Sequence, residues 1–144
     1  MKKLTLGLLL VVYVMALSSC SNNDDIEPEI ENLKNVTDCN ITIEPDLLVA
    51  ICIDGTDVAL PDEIITFVST FYSKIDIAAN TQFMWDIESG NMEILTIENS
   101  VEGSIAKSIA TIRFDANYSG SGIIGVTAEN DNGSGYTQHI VELE

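Results

Sequence analysis

The 144-residue chain reads as an all-β protein, an antiparallel β-sandwich that follows a short apolar leader. Three observations predict it. Apolar side chains recur with a period of two, as where Phe83, Trp85 and Ile87 share one face and Gln82, Asp86 and Glu88 the other. Turn-forming clusters such as Ser89-Gly90-Asn91, Asn117 to Gly122 and Asn130 to Gly135 return about every ten residues. Almost no stretch carries an unambiguous helical stripe.

The leader comes first. Met1-Lys2-Lys3 is a positive start, Leu4 to Leu17 is apolar apart from Thr5 and Gly7, and Ser18-Ser19-Cys20 closes the run. As a helix the run would span about 21 Å, short of the roughly 30 Å hydrocarbon core of a membrane, so it reads as a secretory signal that is cleaved. Leu17-Ser18-Ser19-Cys20 is similar to the bacterial lipobox. The resemblance implies that residues 1–19 are removed and that Cys20 becomes a lipidated N-terminus, its buried methylenes worth about 0.8 kcal/mol each. A plain signal peptide ending near a cysteine is the alternative. Ser21-Asn22-Asn23-Asp24-Asp25 resembles the acidic export signal of Bacteroidota surface lipoproteins, which implies an outer-membrane, surface-exposed location. Residues 20–38 form the lipidated cysteine and an acidic tether, extended by repulsion among Asp24, Asp25, Glu27, Glu29 and Glu31.

Residues 39–144 form the globular domain. Asn40 to Ile43 and Leu47 to Ile53 are apolar and β-branched and read as strands, broken by Pro45-Asp46 and Asp54-Gly55. Pro61-Asp62-Glu63 could open a helix with Ile64, Phe67, Phe71 and Ile75 on one face. The β-branched Ile64, Ile65, Thr66, Val68 and Thr70 favour a strand over residues 61–75 instead. Gln82 to Glu88 is the clearest strand, Met92 to Glu98 a weaker one. Lys107 to Phe114, Ile124 to Glu129 and Tyr136 to Leu143 complete eight, the last two joined as a hairpin through Asn130 to Gly135. Eight short strands with polar corners suit two packed sheets, with an immunoglobulin-like sandwich as the default.

From about Thr81 to Glu144 the pattern resembles PKD-like and related bacterial immunoglobulin-like domains. Trp85 stands before Ser89-Gly90, Ile109 to Phe114 and Gly122 to Ala128 follow, and Asn130 precedes Gly133. Where that family usually carries Trp-Asp-Phe-Gly-Asp-Gly, this chain has Trp85-Asp86-Ile87-Glu88-Ser89-Gly90. The resemblance implies spacing, adhesion or contact with extracellular protein or glycan rather than catalysis.

Charge restricts the partners. Once Lys2 and Lys3 leave with the signal, Lys34, Lys74, Lys107 and Arg113 face 23 acids, a balance of −19. Such a surface repels nucleic acid and anionic lipid headgroups, so the membrane is reached through the lipid on Cys20 alone. Cys39 and Cys52 either pair as a disulfide, expected of an even remainder in an oxidising envelope, or sit as two small buried residues on adjacent strands. Asn130, Asp131 and Asn132 offer oxygens for calcium, the one cofactor considered, or simply turn chemistry; the spacing fails the EF-hand pattern. Trp85 reads as core rather than as a sugar platform. Tyr118 and Tyr136 flank Gly-rich loops and are the candidate ligand contacts, for a protein or, as an accessory capture protein, a glycan, with ordinary turn-edge packing as the alternative. No nucleotide loop, nucleophile elbow or zinc-binding helix motif occurs, and His139 is the only imidazole, so no enzyme activity is expected.

Overall fold

The computed structural model describes residues 33–144; the leader, Cys20 and the tether up to residue 32 lie outside the described residues. The strands in chain order are β1 Val49–Asp54, β2 Val58–Ala59, β3 Ile64–Ser73, β4 Gln82–Ser89, β5 Met92–Glu102, β6 Ile105–Phe114, β7 Ser121–Asn130 and β8 Gly133–Leu143. They build two four-stranded sheets, ordered β1-β3-β6-β5 and β2-β8-β7-β4.

Alternation places one side of every long strand between the sheets. β3 contributes Ile65 and Phe67, β6 contributes Ala110, Ile112 and Phe114, and the facing sheet contributes Trp85, Ile124, Val126 and Val141. Each large apolar side chain buried in this way contributes about 1.5–3 kcal/mol. Small residues on β6, Ala106, Ser108 and Ala110, leave room for the single tryptophan. Its indole Nε1–H donates to Ser108 Oγ at 2.9 Å, a buried bond that crosses from one sheet to the other. Trp85 is core, as its period predicts.

Within residues 61–75 the structure has a strand, β3 Ile64–Ser73, and no helix. Pro61 and Asp62 make a turn in which Asp62 has φ +66°, a left-handed conformation that ends any helical start. β3 then pairs with β1 on one side and β6 on the other, both antiparallel.

Four details depart from the sequence expectation. Residues 40–43 make no strand, because β1 already holds the edge of β3 from Val68 to Ser73. A two-residue strand, β2, appears instead where the chain crosses to the other sheet after Gly55. It pairs parallel with β8, so that sheet is mixed rather than purely antiparallel. There it joins the edge of β8, which runs the same way. The β7–β8 loop is tighter than the six residues expected, because Asn130 pairs directly with Gly133 and only Asp131 and Asn132 turn the corner.

The fourth departure is the domain's start. Residues 34–38, expected to be tether, are bonded to the body. Val36 N–H donates to the Thr66 carbonyl at 3.3 Å and Thr66 N–H to Asn35 Oδ1 at 2.9 Å, just past the point where β1 leaves the edge of β3. Lys34 bridges Glu63 and Glu144, and Lys107 Nζ bonds Asp38 at 2.6 Å.

Candidate functional site

The two outer faces of the sandwich differ. On the β1-β3-β6-β5 sheet, Val68 and Thr70 point away from the core, yet both are buried. Residues 35–41 cross over them, held by Thr70 Oγ1 donating to the Cys39 carbonyl at 2.7 Å. A disulfide between Cys39 and Cys52, with their Cα atoms 6.2 Å apart, ties this strap to β1. The pairing alternative is the one realised, and no thiol remains at either position.

Among the described residues, none crosses the outer face of β4, β7 and β8. Register lays it out in rows. Met84, Thr127 and Tyr136 form one; Asp86, Gly125 and Gln138 the next; Ser89, Ile123 and Ile140 a third. The solvated face of an antiparallel sheet is ordinarily polar. Here Met84, Tyr136 and Ile140 stand 52%, 55% and 50% exposed, one or more in each outer row. All the acids on this face, Asp86, Glu88, Glu129 and Glu142, lack a lysine or arginine beside them on the same strands. The four cations of the body are engaged elsewhere: Lys34 with Glu63 and Glu144, Lys107 with Asp38, Arg113 with Glu93 and Asp115, and Lys74 with the Pro45 carbonyl.

The centre of the face is built by a bulge and a glycine. The β4–β7 register shifts between Ile87 and Ser89, which leaves Glu88 as an extra residue. Bulges of this kind re-aim a side chain. Glu88 leans over Gly125, where a Cβ would lie 2.4 Å from Glu88 Oε1 and 3.4 Å from the Tyr136 ring. Tyr136 donates its hydroxyl to Glu88 and lies 3.2 Å from Gln138 Oε1. The bond to Glu88 raises the Tyr136 phenol above its ordinary pKa, because ionisation would lose the bond and set two negative charges side by side; Glu88 and Asp86 charges push the same way.

The remaining sequence candidates fall elsewhere. Tyr118 is a correction: it is 2% exposed and offers no outer contact. Its ring stacks edge-on against Phe114 at 4.8 Å and its hydroxyl donates to the Val141 carbonyl at 2.5 Å, locking the β6–β7 corner onto β8. Asn130, Asp131 and Asn132 lie at the β7–β8 turn. Asn130 Oδ1 accepts from the Asn132 N–H, and Asn132 Nδ2 donates to Asp76. Asp76 is surrounded by N–H donors, chiefly Ile77, then Asn80, Asn132 and Asp131, which lower its pKa. Among the described residues no three of His, Cys, Asp and Glu gather as a metal site. His139 packs against Phe67 at 5.6 Å, with Nε2 3.0 Å from the Thr56 carbonyl.

The glycan arrangement of Tyr118, Tyr136 and the 130–135 hairpin is likewise not assembled. Tyr118 precedes the first residue of β7 and the hairpin follows its last, and ten residues of strand span about 30 Å at about 3.4 Å per step. Of the three, Tyr136 alone lies on the open face.

Met84, Glu88, Gly125 and Ile140 were not singled out from sequence. The signal was present, since Met84 and Ile140 occupy solvent-side positions and Gly125 interrupts a strand where a close approach is the usual reason. No protein-family model matches the chain, and no curated protein sequence does.

Proposed function

We propose that this chain is a lipid-anchored protein of the cell envelope that displays a non-catalytic, immunoglobulin-like or PKD-like module for contact with other proteins outside the cell. The observation that carries the contact role is the asymmetry of the two outer faces. One is crossed at β3 by the chain's own strap, which buries Val68 and Thr70, and the other presents large apolar side chains and carboxylates to solvent. Aromatic residues and Met are enriched where proteins meet.

The strand order supports the immunoglobulin-like reading. Sheets ordered β1-β3-β6-β5 and β8-β7-β4 follow the ABED and GFC order of such sandwiches, with Trp85 on the strand that corresponds to C. Tyr118, just before β7, takes the place of the corner tyrosine, although its hydroxyl bonds forward to Val141. Anchoring rests on Leu17-Ser18-Ser19-Cys20, and surface export on Ser21 to Asp25.

Mass spectrometry of the protein extracted from the membrane fraction tests the anchor. Loss of residues 1–19 with acyl mass on Cys20 is the expected result. A free Cys20 thiol, or an intact leader, rejects it.

A further inference from the structure

We infer that the outer face of β4, β7 and β8 docks a basic, amphipathic segment of another protein, one that alternates Lys or Arg with apolar side chains. The inference rests on the display reading, since only a face outside the cell meets such a partner, and it names the chemistry of that partner.

Charge complementarity selects the occupant. Among the described residues the face carries Asp86, Glu88, Glu129 and Glu142 and no lysine or arginine. The chain's own residues 20–32 hold five acids and no lysine or arginine, so they do not complement it. A second copy without its leader brings the same 23 acids against four cations and is repelled. A nucleic acid is excluded on the same ground.

Shape selects a polypeptide over a small cation. Met84 on β4 and Tyr136 and Ile140 on β8 stand two strand spacings apart, about 10 Å across at about 4.8 Å per strand, a width that a polyamine does not fill with apolar contact. Gly125 leaves the middle of the sheet without a side chain, and the exposed Glu88 reaches over that gap, one carboxylate oxygen accepting the Tyr136 hydroxyl. A segment lying there sets apolar side chains against Met84 and Ile140 and an ammonium or guanidinium group against Glu88 and Asp86. Arginine is the better fit for a carboxylate paired through two hydrogen bonds.

The test uses the full chain in an uncharged detergent and a fluorescently labelled ten-residue peptide alternating Lys and Val, read by anisotropy. Binding is expected to weaken with salt, and the matching Glu-Val peptide is expected not to bind. D86N/E88Q should raise Kd about tenfold, while the charge-matched E98Q/E102Q on β5 should change it less than about twofold. Tyr136→Ala, which alters no charge, should raise Kd at least about threefold. Equal weakening by the two double variants means attraction to net charge alone and overturns the inference, as does an unchanged Kd for Tyr136→Ala or no binding of the Lys-Val peptide. Because binding is read in solution, its failure is separate from a failure of lipidation or display.

Discussion

Tyr136 and Tyr118 are the same side chain in opposite settings, and their phenols report the difference. Tyr136 is held above its ordinary pKa first by its hydrogen bond to Glu88. Glu88→Gln should therefore bring its alkaline titration, followed by ultraviolet absorbance and assigned with Tyr136→Phe, back down toward the ordinary value; an unmoved titration would show that the bond is not formed. Tyr118 is raised by burial, partly opposed by a backbone hydrogen bond from Gly122. The sign of the stability effect follows. The unfolded phenol ionises near 10.0 while the folded one keeps its proton, so stability falls as pH rises above that point. Tyr118→Phe should cost about 0.5–1.5 kcal/mol in denaturant unfolding at neutral pH, through the lost bond to the Val141 carbonyl. A neutral result would mean that the ring contact with Phe114 alone closes the corner.

Two elements decide how the strands are held. The turn after β1 brings Gly55 against the core, where a Cβ would lie 2.0 Å from Phe67 Cδ1. Phe67 is fully buried and has no room to yield, so Gly55→Ala should destabilise by about 1–3 kcal/mol, read as a lower denaturation midpoint. The disulfide closes a segment with a sequence separation of 13. Cys39→Ser with Cys52→Ser should cost about 3 kcal/mol in the chain-entropy account, and should raise hydrogen exchange at Val36 and Thr66, where the strap meets β3. Exchange unchanged at those amides would show that the strap holds without the bridge. The strands themselves were largely legible, because period-two alternation and β-branching act locally, as the assignment of residues 64–73 illustrates. Asn40 to Ile43 has the same local character and still makes no strand, since whether an edge is free to pair depends on where β1 lies. Composition has no access to that.

For the molecule as a whole, the division of its outer faces is what links the fold to the proposed function. The outward positions of β4 could be read from the sequence, and so could the turn between β7 and β8. What could not be read was which face the chain's own strap covers, because Thr70 and Cys39 are brought together only by the fold. For the same reason Tyr118 looked like a loop-edge contact when its partners, Phe114 and Val141, lie on strands before and after it. Glu88, Gly125 and Tyr136 come from three strands and meet only through the register and the bulge in β4. The central proposal is that this face, which none of the described residues crosses, is displayed outside the cell. Labelling intact cells with a membrane-impermeant carboxylate- or amine-reactive reagent tests it most directly. The account predicts modification of the full-length protein without disrupting the outer membrane, whereas modification only after disruption would contradict it.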